Sequence, residues 1–395
     1  MEKNSPLFFI ALGIFGIINT ELGVVGILPM IMEKYNVTAA LAGMLVSSFA
    51  LIIALFGPWM TLLMSRLNRK TVLIGILLLF AVSNVISAFA PSFYVLMVFR
   101  MIPAFFHPVY FSIAFVLAAA LSVKEEVANA SAKVFLGVSM GMVLGIPLTS
   151  YIANQFSLST SFLFSAIVNG IACVGIGVMV PFIPGKEKIS FGRQLKILYK
   201  PALWLNIAVT CFILAAMFSV YSYFAEYLGQ RFDMSGKLIS VMLVIFGVCG
   251  VAGNWYAGRL LSYRMLRTVL LYPVALGICY LLLFYIKTSL LLLCGIIIVW
   301  GAIHTSGLIV SQIWLTSEAP EAPEFANSLF VSFSNLGVTI GTAIGGWFIS
   351  RLGITEVVWS GLLFAILSFL CIVVKTIYFD LNIKSSEKAM VTEED

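Results

Sequence analysis

Long apolar runs, each close to the roughly 20 residues that cross a bilayer core, alternate along this chain with short polar breaks. Counted in this way, the runs are Leu7–Met30, Ala40–Met64, Thr71–Ala90, Phe93–Ala120, Val134–Ile152, Phe162–Pro181, Ala202–Phe224, Leu238–Gly258, Thr268–Ile286, Leu290–Leu315, Ala326–Ile349 and Val357–Phe379. Apolar stretches of this length predict membrane helices rather than strands. The reading is therefore an all-α membrane protein of twelve spans. The first run is too long for the apolar core of a signal peptide and lacks a small-residue cleavage site, so it counts as the first span. The longest polar connection, 183–201, follows the sixth run. It divides the chain into an N-terminal six-helix bundle (1–182), a linker (183–201), a C-terminal six-helix bundle (202–380) and a tail (381–395).

The polar breaks also set an orientation. With the first terminus inside, seventeen Lys and Arg fall in inner segments and five in outer ones. Positive charge is retained on the cytoplasmic side. The expectation is a multi-pass protein of the cell (cytoplasmic) membrane with both termini, linker and tail cytoplasmic. The basic linker would lie near anionic lipid headgroups. Charged residues are 10% of the chain and apolar ones 61%, against roughly 25% charged in soluble domains. The net charge of +6 is therefore topological and does not point to nucleic acid.

The six cysteines all fall inside apolar runs without a CxxC pair, which argues against a disulfide framework or a zinc site. No Ser/His/Asp constellation, metal-ligand cluster or phosphate-binding loop occurs. Enzyme and ATP-driven pump are thereby disfavoured, and neither metal nor cofactor is expected.

The two halves carry matched features. The only histidines, His107 and His304, fall in the fourth and tenth runs. From His107 it is 21 residues to Ala128-Asn129, and from His304 it is 22 to Ala326-Asn327. Each pair leads into a glycine triplet, Gly137, Gly141 and Gly145 (followed by Pro147) and Gly337, Gly341 and Gly345. Glycines four apart let helices approach closely, and such a triplet alone is ordinary packing. The combined spacing indicates duplication, an architecture in which transporters place a site between two repeats.

Ionisable side chains inside apolar runs are the candidates for chemistry. A charge at the bilayer centre costs roughly 2.5–3.5 kcal/mol on insertion scales. Glu21 lies roughly 13 Å, and Arg100 roughly 10 Å, from the outer ends of their helices at about 1.5 Å per residue. Their similar depth suggests an electrostatic pair that forms in one conformation and separates in another, changing the carboxyl group's hold on a proton. A fixed ion pair tying two helices is the plainer alternative. His107, seven residues beyond Arg100, projects from nearly the same face, and imidazole titrates near neutrality. These three are the proton-coupling candidates. Asn19, Tyr110, Tyr221, Tyr223, Trp300, His304 and Asn335 are the substrate-binding candidates, although buried amides usually join helices and single aromatics usually pack. Arg66, Arg69 and the two glycine triplets with Pro147 are read as gating or packing residues. Glu226, Arg231 and Asp233 read as an outer solvated loop.

On these residues the chain resembles the major facilitator superfamily, in particular its twelve-helix drug:proton antiporters of the arabinose-efflux and purine-efflux type. The resemblance is carried by Asn19-Thr20-Glu21-Leu22-Gly23 with Leu28-Pro29, by Arg100, by Gly145-Ile146-Pro147, and by the stretch from Glu318 to Pro323 followed by Asn335-Leu336-Gly337. It implies two pseudo-symmetric bundles, helices 1 and 4 lining one cavity, and proton-coupled efflux of a small organic compound such as a drug, sugar or purine-like molecule. It also implies alternating access by a monomer in membrane lipid. Uncoupled transport, uptake, or a lipid flippase on the same fold are alternatives. Three departures stand out. Ser65-Arg66-Leu67-Asn68-Arg69-Lys70 lacks the usual acidic residue of an inner latch, Glu226 stands where proline is common, and Pro103-Ala104 replaces a glycine.

Overall fold

Where the apolar runs predict membrane helices, the chain forms them. The computed structural model describes residues 5–37, 39–122, 126–180, 191–286 and 289–381. Every regular element among them is helical. The first half comprises α1 (Ser5–Gly23), α2 (Leu28–Tyr35), α3 (Ala39–Met64), α4 (Arg69–Ala88), α5 (Phe93–Ala104), α6 (His107–Ala120), α7 (Val127–Met140), α8 (Ile146–Gln155) and α9 (Leu158–Met179). A short α10 (Phe191–Leu195) belongs to the linker. The second half comprises α11 (Pro201–Tyr221), α12 (Phe224–Phe232), α13 (Gly236–Tyr285), α14 (Leu290–Ser317), α15 (Pro323–Leu352) and α16 (Val357–Lys375). Most of the linker's first part and the tail beyond 381 lie outside the described residues.

Among the described residues, eleven helical stretches are long and apolar enough to cross a membrane. One of them, within α13, is two spans. Phe246 and Tyr280 both pack against Trp300, with ring centroids 4.8 and 5.9 Å away, whereas a straight helix would hold them about 51 Å apart. The reversal falls at Arg264, whose φ of −144° and ψ of 55° leave the helical region. The twelve expected spans are therefore all present.

Several boundaries differ from expectation. The fourth span is not one helix: Phe105 and Phe106 form a turn between α5 and α6. Pro108 has no N–H to give the carbonyl four residues back, and Pro103 crowds the turn before it. The first span leaves α geometry after Gly23, tightens into a 3-10 turn over Val24–Ile27, and resumes as α2. The fifth begins at Val127, seven residues early, with Ala128, Ala130 and Ser131 of its first turns buried. The expected outer loop around Glu226 and Arg231 is the helix α12, closed by Asp233 at a φ of 51°. Arg231 donates to the Phe284 carbonyl at 2.6 Å.

Hydrogen bonds and ion pairs sort the helix ends into two faces. Arg69, Ser65, Gln194, Lys200, Glu318, Glu321, Glu324 and Lys375 meet on one face, which carries the linker. On the opposite face Tyr35 donates to Ala90 O, and Tyr227 to Leu283 O.

The glycine triplets show how closely the halves repeat. Gly137, Gly141 and Gly145 of the α7 span lie against α1, at the Ala11 carbonyl, at the Ile18 side chain with the Phe15 carbonyl behind it, and at Asn19. Gly337, Gly341 and Gly345 of α15 lie against Cys211, Ala215 and Ser219 in α11. A side chain at most of these positions would overlap a carbonyl or a neighbouring side chain. Each second-half partner lies 200 positions beyond its first-half counterpart, so Glu21 of α1 corresponds to Tyr221 of α11.

Candidate functional site

Glu21 occupies the last turn of α1, just before the helix tightens. His107 opens α6, just after the proline-induced turn. These two irregularities bring the side chains together, with His107 Nε2 3.1 Å from Glu21 Oε2. The imidazole is 3% and the carboxylate 13% exposed. His107 stacks on Phe111, its neighbour one turn on, with centroids 4.4 Å apart. It also meets Phe49 edge-on at 6.0 Å.

Arg100 stands beside this pair but does not grip the carboxylate. Its Nη1 donates to Thr20 O at 3.0 Å and its Nη2 to Glu21 O at 3.2 Å. A helix end leaves carbonyls without intrahelical donors, and a guanidinium fork can serve two of them at once. The three proton-coupling candidates thus converge, with His107 as the close partner of the acid and Arg100 as a clamp on its backbone.

Behind α1 the first half is tied by amides. Asn84 Nδ2 donates to Thr20 Oγ1 at 2.9 Å, and Asn169 Nδ2 to Gly16 O at 3.3 Å. Asn19 Nδ2 donates to Ser165 Oγ at 2.8 Å, and Asn19 Oδ1 accepts from Thr149 at 3.2 Å. Asn19, a substrate-binding candidate, is therefore turned into its own bundle. Tyr110 is likewise buried, donating to Ile10 O at 3.2 Å. Tyr223 bonds Thr342 O at 2.9 Å near the opposite face. Asn335 does reach a shared space.

That space is a cavity of about 220 Å³ between the halves. Glu21, His107 and Phe111 wall it on one side, and Leu214, Phe218, Ser334 and Asn335 on the other. Its remaining lining is almost wholly apolar. The volume lies below the roughly 300–1,000 Å³ of pockets for drug-sized ligands. The other second-half candidates form an aromatic cluster one layer beyond Phe218. His304, Tyr221, Phe246 and Trp300 pack there, with Tyr221 4.8 Å and Phe218 5.8 Å from the imidazole.

From the cavity toward the linker face the halves close on each other. Phe330 meets Phe115 and Phe135 at 6.5 and 6.1 Å. Ser332 Oγ donates to Ile53 O, and Asn254 Nδ2 to Ala132 O, both at 3.2 Å. Gly57 lies against both Ser332 and Pro108, which sets the α5–α6 turn beside this seam. At the linker face itself Arg69 pairs with Glu324 across the halves. Ser65, where an acid was expected, accepts from Gln194 Nε2 at 3.1 Å. The latch's carboxylate is thus supplied from the first turn of α15. Asn68, in the place of a glycine, caps α4 by accepting from Thr71 N at 3.2 Å. Arg66 lies in the same turn. Lys200 pairs with Glu321 at 2.6 Å and donates to Glu318 O at 2.9 Å. Partial burial opposes ionisation of Glu321, but the hydrogen bond and charge of Lys200 outweigh it and hold the carboxyl below its ordinary value.

Glu324, Thr20 and Gln194 were not among the candidates read from the sequence. Glu324 lies just after the quoted Glu318–Pro323 stretch, yet nothing in the sequence points it at Arg69. Pro147 is exposed on the α8 end of the glycine seam.

Twelve spans in two repeated halves around a central cavity define a multi-pass membrane transporter, not an enzyme. The chain belongs to the Major Facilitator Superfamily, whose family model matches residues 7–323. It is 29% identical over 350 residues to the inner membrane transport protein YdhP of Escherichia coli K12, covering 89% of this chain and 90% of that one. It is 27% identical to a probable sugar efflux transporter of Helicobacter pylori strain P12, covering 90% and 91%. Among solved structures, the human organic anion transporter MFSD10 (TETRAN) superposes with a TM-score of 0.77 at 16% identity, over 94% of this chain and all of that one. The E. coli fucose:proton symporter FucP gives 0.73 at 15% identity, over 93% and 98%. At these identities the structural likeness concerns the fold.

Proposed function

We propose that this protein exports a small organic compound in exchange for protons, with the Glu21–His107 pair as the coupling element. The observation that carries the reading is an acid and an imidazole in contact on the wall of a largely apolar cavity shared by both halves. A proton taken up by Glu21 removes its charge and dissolves the pair. His107 begins α6, and α6 packs on α15 of the other half. Release of the pair therefore frees the element that seals the linker face.

The linker face is the cytoplasmic one in this reading, which follows the seventeen-to-five distribution of basic residues. The arrangement described is closed to the cytoplasm. Export agrees with the H. pylori relative, a probable sugar efflux transporter. The few charges around the cavity favour a weakly charged or neutral substrate. The protein works as a monomer surrounded by lipid.

The test uses purified protein in liposomes. An imposed pH gradient should drive transport of a candidate compound, and Glu21→Gln should reduce gradient-driven transport at least tenfold. Equal transport by Glu21→Gln and the unaltered protein would exclude the coupling role. Transport indifferent to the gradient in both would favour an uncoupled carrier.

A further inference from the structure

The internal repeat exposes an asymmetry. In the first half Glu21 answers His107. In the second half the matched position is Tyr221, and the place corresponding to Arg100, counted back from His304 as Arg100 is from His107, is Ile297. The histidine has been kept while both charged neighbours have been replaced. His304 is 2% exposed; its ring nitrogens, like those of His107, have no hydrogen-bond partner among the described residues, but unlike His107 it is paired with no acid there. A polar group buried without a partner is costly, by about 1–3 kcal/mol. Each such group in a folded protein calls for an explanation.

The surroundings of His304 are specific. Tyr221, Phe246 and Trp300 stand 4.8, 5.2 and 6.0 Å away, centroid to centroid. Phe218 stands between this box and the central cavity: it lines the cavity and lies 5.8 Å from the imidazole. We propose that His304 is a recognition subsite for one flat, uncharged heteroaromatic ring of the transported compound, reached from the cavity when Phe218 turns aside. The inference rests on the reading of that cavity as the transport site.

The chemistry selects this class. Aromatic walls favour a flat π face. A neutral imidazole offers one donor and one acceptor, which match the ring nitrogen and N–H edge of a heterocycle. With Tyr221 and Ile297 in place of the acid and the arginine, the box has no counter-charge for an ion. A sugar would bury several hydroxyls against walls that present few polar atoms, and each unpaired hydroxyl costs free energy.

The chain has two histidines, so the experiment reads them directly. Full-length protein with ¹⁵N-labelled histidine is placed in nanodiscs, and the four ring nitrogens are followed by NMR. Adenine, caffeine and quinoline serve as probes and glucose as the comparison. At least one heterocycle should shift the His304 nitrogens saturably, and His304→Gln should weaken its binding about tenfold or more. Phe218→Ala, which leaves both histidines in place, should speed the approach to saturation. His304 signals unmoved by millimolar concentrations of all three heterocycles, or moved by glucose alone, would overturn the assignment. Failure here is separable from failure of the transport reading. A protein driven by a pH gradient through Glu21, yet silent at His304, keeps the exchange mechanism and loses the subsite.

Discussion

Arg100 shows how one side chain can be found from sequence while its hydrogen-bond partners cannot. An arginine in an apolar run was visible, and so was its depth relative to Glu21. Counting along a helix gives height, not azimuth, and it gives nothing about helix irregularity. The carbonyls of Thr20 and Glu21 become available because α1 ends there, and Arg100 takes them at 3.0 and 3.2 Å. Arg100→Ala should therefore destabilise the protein by about 1–3 kcal/mol for each buried carbonyl left unmatched. Arg100→Lys keeps the charge without the fork and should fall between. Denaturant unfolding of the three proteins in detergent orders them. Buried amides usually join helices, and Asn84 and Asn169 do so at Thr20 and Gly16.

At the scale of elements, apolar run length told where helices cross, but not where they break. Pro103 and Pro108 were in plain view, yet the run from Phe93 to Ala120 has no polar interruption to announce a turn. The reversal at Arg264 was legible because basic residues separate two apolar runs there. The helix seams give a sharper test. An alanine at Gly341 would overlap Ala215 of α11, and overpacking of this kind costs typically 1–3 kcal/mol. An alanine at Gly75 meets nothing within 4 Å, and by helix propensity should be neutral or stabilising by up to about 1 kcal/mol. Thermal unfolding of Gly341→Ala and Gly75→Ala should shift in opposite directions, or only the first should shift.

For the whole molecule, Arg69–Glu324 joins the two halves at the linker face, while Lys200–Glu321 ties the end of the linker to the second half. This latch was hidden from the sequence reading because its acid sits on α15 rather than in the loop after α3, where the family's acid was expected. Glu324→Gln should increase labelling from the linker face, and the double exchange Arg69→Glu with Glu324→Arg should restore closure. Mass-spectrometric footprinting reads both. The Glu321 carboxyl is held below its ordinary value of 4.5. Its contribution to stability is therefore complete above that value and is lost as pH falls through the depressed one. Over the neutral range Lys200–Glu321 should not respond to pH.

The coupling pair allows one decisive measurement. In a background without native cysteines, Ser332→Cys places a thiol at the seam where α15 meets Ile53 of α3. Its rate of modification by a membrane-impermeant reagent is followed in vesicles that expose the linker face. The account predicts slow modification with Glu21 in place and at least tenfold faster modification when Glu21→Gln removes the carboxylate's charge. A Glu21→Gln protein that is modified as slowly as its parent would contradict it.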